Sequence, residues 1–157
     1  MSQRGIEEVL GEVGIFEGLA GEHLELMAGC GQIAAFEAGA PLFREGDEAN
    51  DFYVLRHGRV ALELFMPQGS AMTIATLGPG EVVGWSWLFP PYRWHMDARV
   101  VERCSALVID GRCLREKAES NHDLGYELMK RFAGQMVERL QETRIQILDL
   151  YGSAATT

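Results

Sequence analysis

Four β-prone runs follow one another between residues 32 and 65: Gln32-Ile-Ala-Ala-Phe36, Pro41-Leu-Phe-Arg44, Phe52-Tyr-Val-Leu55 and Val60-Ala-Leu-Glu-Leu-Phe65. Between them stand Gly39, Gly46-Asp47 and His57-Gly58. Short runs rich in branched and aromatic residues, punctuated in this way, form strands joined by tight reversals. Glycine serves at the reversals because it accepts positive φ without a Cβ penalty, and on this reading Gly39, Gly46, Gly58 and Gly80 each mark a place where the chain turns back.

The pattern continues with Ala71-Met-Thr-Ile-Ala-Thr-Leu77, Glu81-Val-Val83 and the stretch 98–109, with Gly78-Pro-Gly80 and Gly84 as turns. Short strands at this spacing predict a sandwich or barrel. Glycine content agrees, at 18 of 157 residues against a norm of roughly 7%. Upstream, apolar residues at Ile6, Val9, Leu10, Val13, Ile15, Phe16, Leu24, Leu26 and Met27 predict two short helices joined by a bend. Downstream, residues 113–119 read as one short helix. A long one follows from about His122 to Tyr151, capped by Ser120 or Asn121 and stopped by Gly152 in the left-handed conformation.

That last helix would be about 45 Å long, more than a small barrel can cover. Leu128, Phe132, Met136 and Leu140 form one stripe, and Met129, Ala133, Val137, Ile145, Leu148 and Tyr151 lie beside or beyond it. One stripe suits the barrel and the other needs a partner. A two-fold homodimer through this helix is the simplest such partner.

Composition bounds the rest. Hydrophobic residues at 47% and charged residues at 24% describe a globular chain able to bury a core. The apolar stretches are too short to span a membrane, and residues 1–10 carry Arg4, Glu7 and Glu8 where a signal peptide would be apolar, so a cytoplasmic protein is expected. Fourteen Lys and Arg against 23 Asp and Glu leave a net charge of -9, the wrong sign for a phosphate backbone. The three cysteines, Cys30, Cys104 and Cys113, are scattered and form no CxxC pair, which suits reduced thiols and argues against a structural zinc. One domain over 1–157 is expected, with N-terminal helices in 1–30, a β-roll in 31–110 and C-terminal helices in 111–152.

In order along the chain stand Ile15-Phe-Glu-Gly-Leu-Ala20, Phe36-Glu-Ala-Gly-Ala-Pro-Leu-Phe-Arg-Glu-Gly-Asp47, Asp51-Phe-Tyr-Val-Leu-Arg-His-Gly-Arg-Val60 and Leu77-Gly-Pro-Gly-Glu-Val-Val-Gly84. With the long last helix, this series resembles the cyclic-nucleotide-binding domain of the catabolite-activator (Crp/Fnr) superfamily over nearly the whole chain. The resemblance implies a mainly β fold with flanking helices, a double-stranded β-helix or jelly-roll with N-terminal helices and a long C-terminal helix. It also implies a regulatory protein that senses a small ligand, cAMP or another cyclic nucleotide, in a phosphate-binding cassette after Gly84, with no further cofactor.

The cassette departs from the family pattern. Where the family has Phe-Gly-Glu and a later Arg, the Glu for the ribose and the Arg for the cyclic phosphate, this chain reads Val83-Gly84-Trp85-Ser86-Trp87 and then Arg93-Trp94-His95. Trp85 stands at the Glu position, and Trp94 or His95 at the Arg position. Each missing charge-assisted hydrogen bond is worth about 1.5–3 kcal/mol. Compensation is expected from Arg93, turned inward by Pro90-Pro91, and from amides of a short helix over residues 85–89, with the Ser86 hydroxyl as an added donor. The candidate ligand-binding residues are therefore Val83, Gly84, Trp85, Ser86, Trp87, Arg93, Trp94 and His95, with no metal ligand among them. Glu81 reads as a solvated strand-end carboxylate.

No nucleophile, base and orienting group occur at recognisable spacing, so a sensor is expected in place of an enzyme. The family's DNA-binding helix-turn-helix has no counterpart after Tyr151, so a stand-alone domain that acts through a protein partner, without nucleic acid, is the expectation. The alternative is a degenerate cassette that binds a non-nucleotide ligand or none and serves as a protein-interaction module.

Overall fold

The computed structural model describes residues 1–156, with side chains through Gly152. Two helices open the chain, α1 (Gln3–Glu12) and α2 (Gly21–Ala28), linked by a 3-10 turn at Gly14–Phe16. Six strands follow: β1 (Gly31–Phe36), β2 (Pro41–Phe43), β3 (Asp51–Phe65), β4 (Ala71–Leu77), β5 (Val82–Val83) and β6 (Asp97–Asp110). Two helices, α3 (Gly111–Ser120) and α4 (His122–Thr156), close it. The result is the expected mainly β jelly-roll with flanking helices.

Two long strands carry the roll. β3 and β6 pair antiparallel from Asp51↔Asp110 to Glu63↔Asp97. On its other edge β6 takes β1 and β2, and β3 takes β5 and β4. Each long strand thus serves two short ones, and the sheet bends between them. Residues of both strands, Val54, Leu55 and Val60 with Val100, Leu107 and Ile109, are at most 1% exposed.

Gly58 explains one difference from the sequence reading. The runs at 52–55 and 60–65 are parts of the single strand β3, and His57-Gly58 does not reverse the chain. The register shifts between Leu55 and Val60 make this a bulge. Gly58 has φ +87°, and a Cβ there would lie 2.3 Å from the Arg103 carbonyl oxygen. Only glycine lets β3 bend this close to β6.

The ends of the last helix also follow from the sequence, in part. Asn121 caps α4, its side-chain oxygen accepting from the Leu124 N–H at 3.2 Å. At the far end Gly152 does not stop the helix, which continues to Thr156. Thirty-five residues correspond to about 52 Å. No helix among the described residues is long and apolar enough to cross a membrane.

The cysteine expectation is corrected. Cys30 and Cys113 form a disulfide with Cα atoms 5.8 Å apart, tying the α2–β1 junction to α3 across 83 residues. An odd count with wide spacing hid the pair, because proximity here is made by the roll and not by the chain. Cys104 remains a buried thiol, and burial raises its pKa.

Candidate functional site

Residues 84–96 connect β5 to β6. The short helix expected over 85–89 does not form. Leu88 N–H donates to the Trp85 carbonyl at 3.1 Å and Tyr92 N–H to that of Phe89 at 3.0 Å, so the segment is a series of turns. Its second half pairs with the loop before β3: Gly46 N–H to Trp94 O at 2.9 Å, Trp94 N–H to Asp47 O at 3.1 Å, and Ala49 N–H to Tyr92 O at 2.8 Å. The loop thus takes one backbone donor of the segment, the Trp94 N–H, and two of its acceptors, the Tyr92 and Trp94 carbonyls.

The three tryptophans have separate fates. Trp87 is fully buried, stacked on Phe52 with centroids 4.8 Å apart and edge-on to Phe132 at 5.3 Å. Trp94 lies flat on Phe43 at 3.7 Å, and Tyr53 and Phe36 extend the aromatic column into the roll. Its ring also covers Gly84, where φ is +99° and an added Cβ would meet the indole at 2.6 Å. The space directly beside Gly84 is therefore filled. Trp85 alone is half-buried and faces an open groove.

That groove, about 440 Å³, lies between the roll and α4. Leu62 and Ile74 come from β3 and β4, Trp85 and Met96 from the two ends of the cassette, and Met136 and Leu140 from α4. The wall is apolar except where Arg139, Glu142, Thr143 and Gln146 enter from the helix. The Arg139 guanidinium stands 5.8 Å from the Trp85 ring centroid, a cation over an aromatic face at the groove mouth. A wider cleft of about 810 Å³ opens on the other side of the same helix and shares Arg139 and Glu142. Its Arg131 is already committed, donating to the Ile15 and Glu17 carbonyls at 2.8 and 2.7 Å.

The remaining candidates can be placed one by one. Val83 is fully buried in β5 and Ser86 is buried. Arg93 points to the loop, its Nη1 donating to the Gly46 carbonyl at 3.3 Å and its Nη2 lying 4.0 Å from Glu48. It lines neither cleft. His95 is exposed. Glu81 is exposed, and its Oε2 accepts from the Gly78 N–H at 3.0 Å, closing the turn before β5. Among the described residues no three His, Cys, Asp or Glu side chains gather to hold a metal ion.

Sequence reasoning missed Arg139 as a ligand candidate. The signal was present in helical register, since 136, 139 and 140 share one face with Phe132. Two elements tie the site together. Gln135 Nε2 donates to the Val82 carbonyl at 3.2 Å, linking α4 to the strand that leads into the cassette. Arg115 of α3 donates to the Trp87 and Ala49 carbonyls and lies 4.2 Å above the Tyr92 ring, linking α3 to the cassette itself.

The pattern of the cyclic nucleotide-binding domain matches residues 33–121. The chain is 23% identical over 145 residues to the CRP-like cAMP-activated global transcriptional regulator of Mycobacterium tuberculosis, covering 92% of this chain and 63% of that one. To the cyclic AMP receptor protein of Thermus thermophilus it is 36% identical over 70 residues, 45% of this chain and 32% of that one. It therefore spans between a third and two thirds of the length of these relatives. A solved structure from Geobacter metallireducens superposes with a TM-score of 0.76 at 28% identity, covering 89% of this chain and 98% of that one.

Proposed function

The chain belongs to the cyclic nucleotide-binding domain family, and on that premise we propose that it is a sensor of a small anionic ligand with a flat apolar body. Cyclic nucleotides meet that description, and a planar organic acid is the alternative. The relatives named above are, by their descriptions, a cAMP-activated transcriptional regulator and a cyclic AMP receptor protein, and the proposal gives this chain a regulatory role. The observation that carries it is the groove between roll and α4, where Trp85 and Met96 bring the cassette to Met136, Arg139 and Leu140.

In that groove a ring would lie against the apolar wall. Arg139 supplies the charge that the cassette lacks, on the helix where the family pattern has it in the cassette. A guanidinium beside a partly dry aromatic wall favours a delocalised anion. Binding there would bridge cassette and helix, so occupancy would shift how α4 sits on the roll. The signal is then a population shift between two seatings of the helix.

The outlet is the part of α4 that starts at the groove, where Val137 and Leu140 are also wall residues. Val137, Leu140, Arg144, Ile147 and Tyr151 recur at spacings of three and four, the seam of a two-stranded coiled coil with one polar residue in it. The apolar members are between 47% and 72% exposed. We infer a homodimer through this seam, and a single cytoplasmic regulatory domain that passes its state to a protein partner.

Calorimetric titration with cAMP, cGMP and an aromatic carboxylate, followed by tryptophan fluorescence, tests the ligand class. Micromolar binding of a member of the panel with a fluorescence change is expected. Arg139→Ala should weaken it by at least about tenfold, the lower end for a charge-assisted contact. Unchanged affinity in Arg139→Ala, or no binding of any member, would refute the assignment.

A further inference from the structure

α3 is held from two sides. On one side Arg112 donates to Asn50 Oδ1 at 3.0 Å and Glu48 Oε2 at 3.1 Å, and Arg115 reaches the cassette as described. On the other side Cys113 is bonded to Cys30, and one turn on, Lys117 Nζ donates to the Leu26 carbonyl at 2.7 Å. Residues 113 and 117 share a helix face. The helix has little apolar anchorage of its own, since its buried residues are Gly111 and Leu114. Exposed charged contacts are individually weak. The covalent bond is the one restraint that chemistry can switch.

We propose that Cys30–Cys113 is a reversible thiol–disulfide site, opened by a dithiol reductant, that governs how firmly α3 is held to the body of the protein. The site is reachable. Cys113 is half-buried, and both cysteines line an open cleft of about 360 Å³ whose other walls include Gln32, Asp51 and Asp110. Cys30 is 8% exposed, and Cys104, at 2%, is in no position to compete.

The step balances as ordinary exchange. A thiolate of the reductant attacks Sγ of Cys113, forming a mixed disulfide and expelling the Cys30 thiolate, which takes up a proton. The reductant's second thiol, deprotonated, attacks its own sulfur in the mixed disulfide. That closes the reductant's disulfide and releases the Cys113 thiolate, which is protonated in turn. Two electrons and two protons pass from the dithiol to the protein.

What is loosened is the base of the α3–α4 helical hairpin and not α3 alone, since Leu128 and Phe132 keep the following part of α4 in the core. Asn121 N–H donates to the Lys117 carbonyl at 2.9 Å and Gly125 N–H to the Asn121 carbonyl at 3.0 Å. Gly125 seats α4 so close to α3 that an added Cβ would be 3.2 Å from the Ala118 carbonyl oxygen. Freedom given to α3 therefore passes to the start of α4. The inference does not depend on what the groove binds, and its test uses no ligand.

The full chain is treated with dithiothreitol without denaturant, alkylated, and followed by mass spectrometry and amide hydrogen exchange. Folded protein is expected to label at Cys30 and Cys113 with Cys104 protected until denaturation, and to regain the disulfide with oxidised dithiothreitol. Amides of 111–125 should speed up at least tenfold more than those of 51–65. A disulfide that opens only when the protein unfolds would overturn the proposal, and so would one uniform acceleration throughout, the mark of a staple that acts on the unfolded chain alone. The Cys113→Ser chain, without reductant, should reproduce the reduced pattern, and a fully protected α3 in it would equally count against the switch.

Discussion

In the first half of α4, Leu124, Leu128 and Phe132 come four residues apart and each is fully enclosed by the roll and the N-terminal helices. In the second half Val137, Leu140, Ile145, Leu148 and Tyr151 are of similar character but 52–72% exposed. The chemistry of the two halves is alike, and what differs is whether the roll extends far enough to meet them. The first half is held by core packing and belongs to the fold. The second keeps its apolar surface for something that binds, and the groove under Trp85 sits at the border between them.

The largest expected effect falls on the enclosed half. Phe132 contacts Phe16, Phe52 and Trp87, so Phe132→Ala should destabilise the protein by about 3–5 kcal/mol in urea unfolding. A loss below about 1 kcal/mol would mean α4 is not seated by this cluster. On the exposed half, Ile147→Asp should change the sedimenting mass from dimer to monomer while leaving the near-ultraviolet dichroism of the buried aromatics intact. An unaltered mass would place any dimer elsewhere. Leu148→Ala, outside the seam, should shift stability by no more than about 0.5 kcal/mol.

The smallest effect lies at the base of the helical hairpin. Burial, then the neighbouring Asp110 carboxylate, raise the Asp51 pKa, with Arg112 opposing them. The folded protein thus holds the Asp51 proton more tightly than the unfolded chain does. The stabilisation this gives is complete below the unfolded value of about 3.9 and is lost as pH rises through the elevated folded value. Asp51→Asn should therefore stabilise the protein at pH 7 by about 0.5 kcal/mol or less after solvent screening, seen as a slightly higher Tm, with the gain vanishing towards pH 3. A loss of stability at pH 7 would show that Asp51 makes a favourable contact as a carboxylate.

The roll and its flanking helices were legible because strands and helices announce themselves by local period. The run 71–77 is β4, residue for residue, and of the two caps that residue type allowed, Ser120 or Asn121, it is Asn121 that caps α4. Gly58 was misread because a glycine at a reversal and one at a bulge look alike without the strand that lies across it. The disulfide escaped for a related reason, since only the pairing of β1 with the end of β6, Gly31 opposite Ile109, brings Cys30 near α3. In the cassette the sequence could not sort the three tryptophans. Trp87 and Trp94 turn to aromatic partners far away in sequence, Phe132 and Phe43, and Trp85 is left facing the groove.

The claim that a ligand sits between the cassette and α4 is tested most directly by methyl NMR of the methionines during titration with cAMP, cGMP or an aromatic carboxylate. Met96 and Met136 line the groove, and Met27 is buried in α2 away from it. The expected result is saturable shifts at Met96 and Met136 with Met27 unmoved. Saturable binding that leaves both groove methyls unshifted would contradict the account.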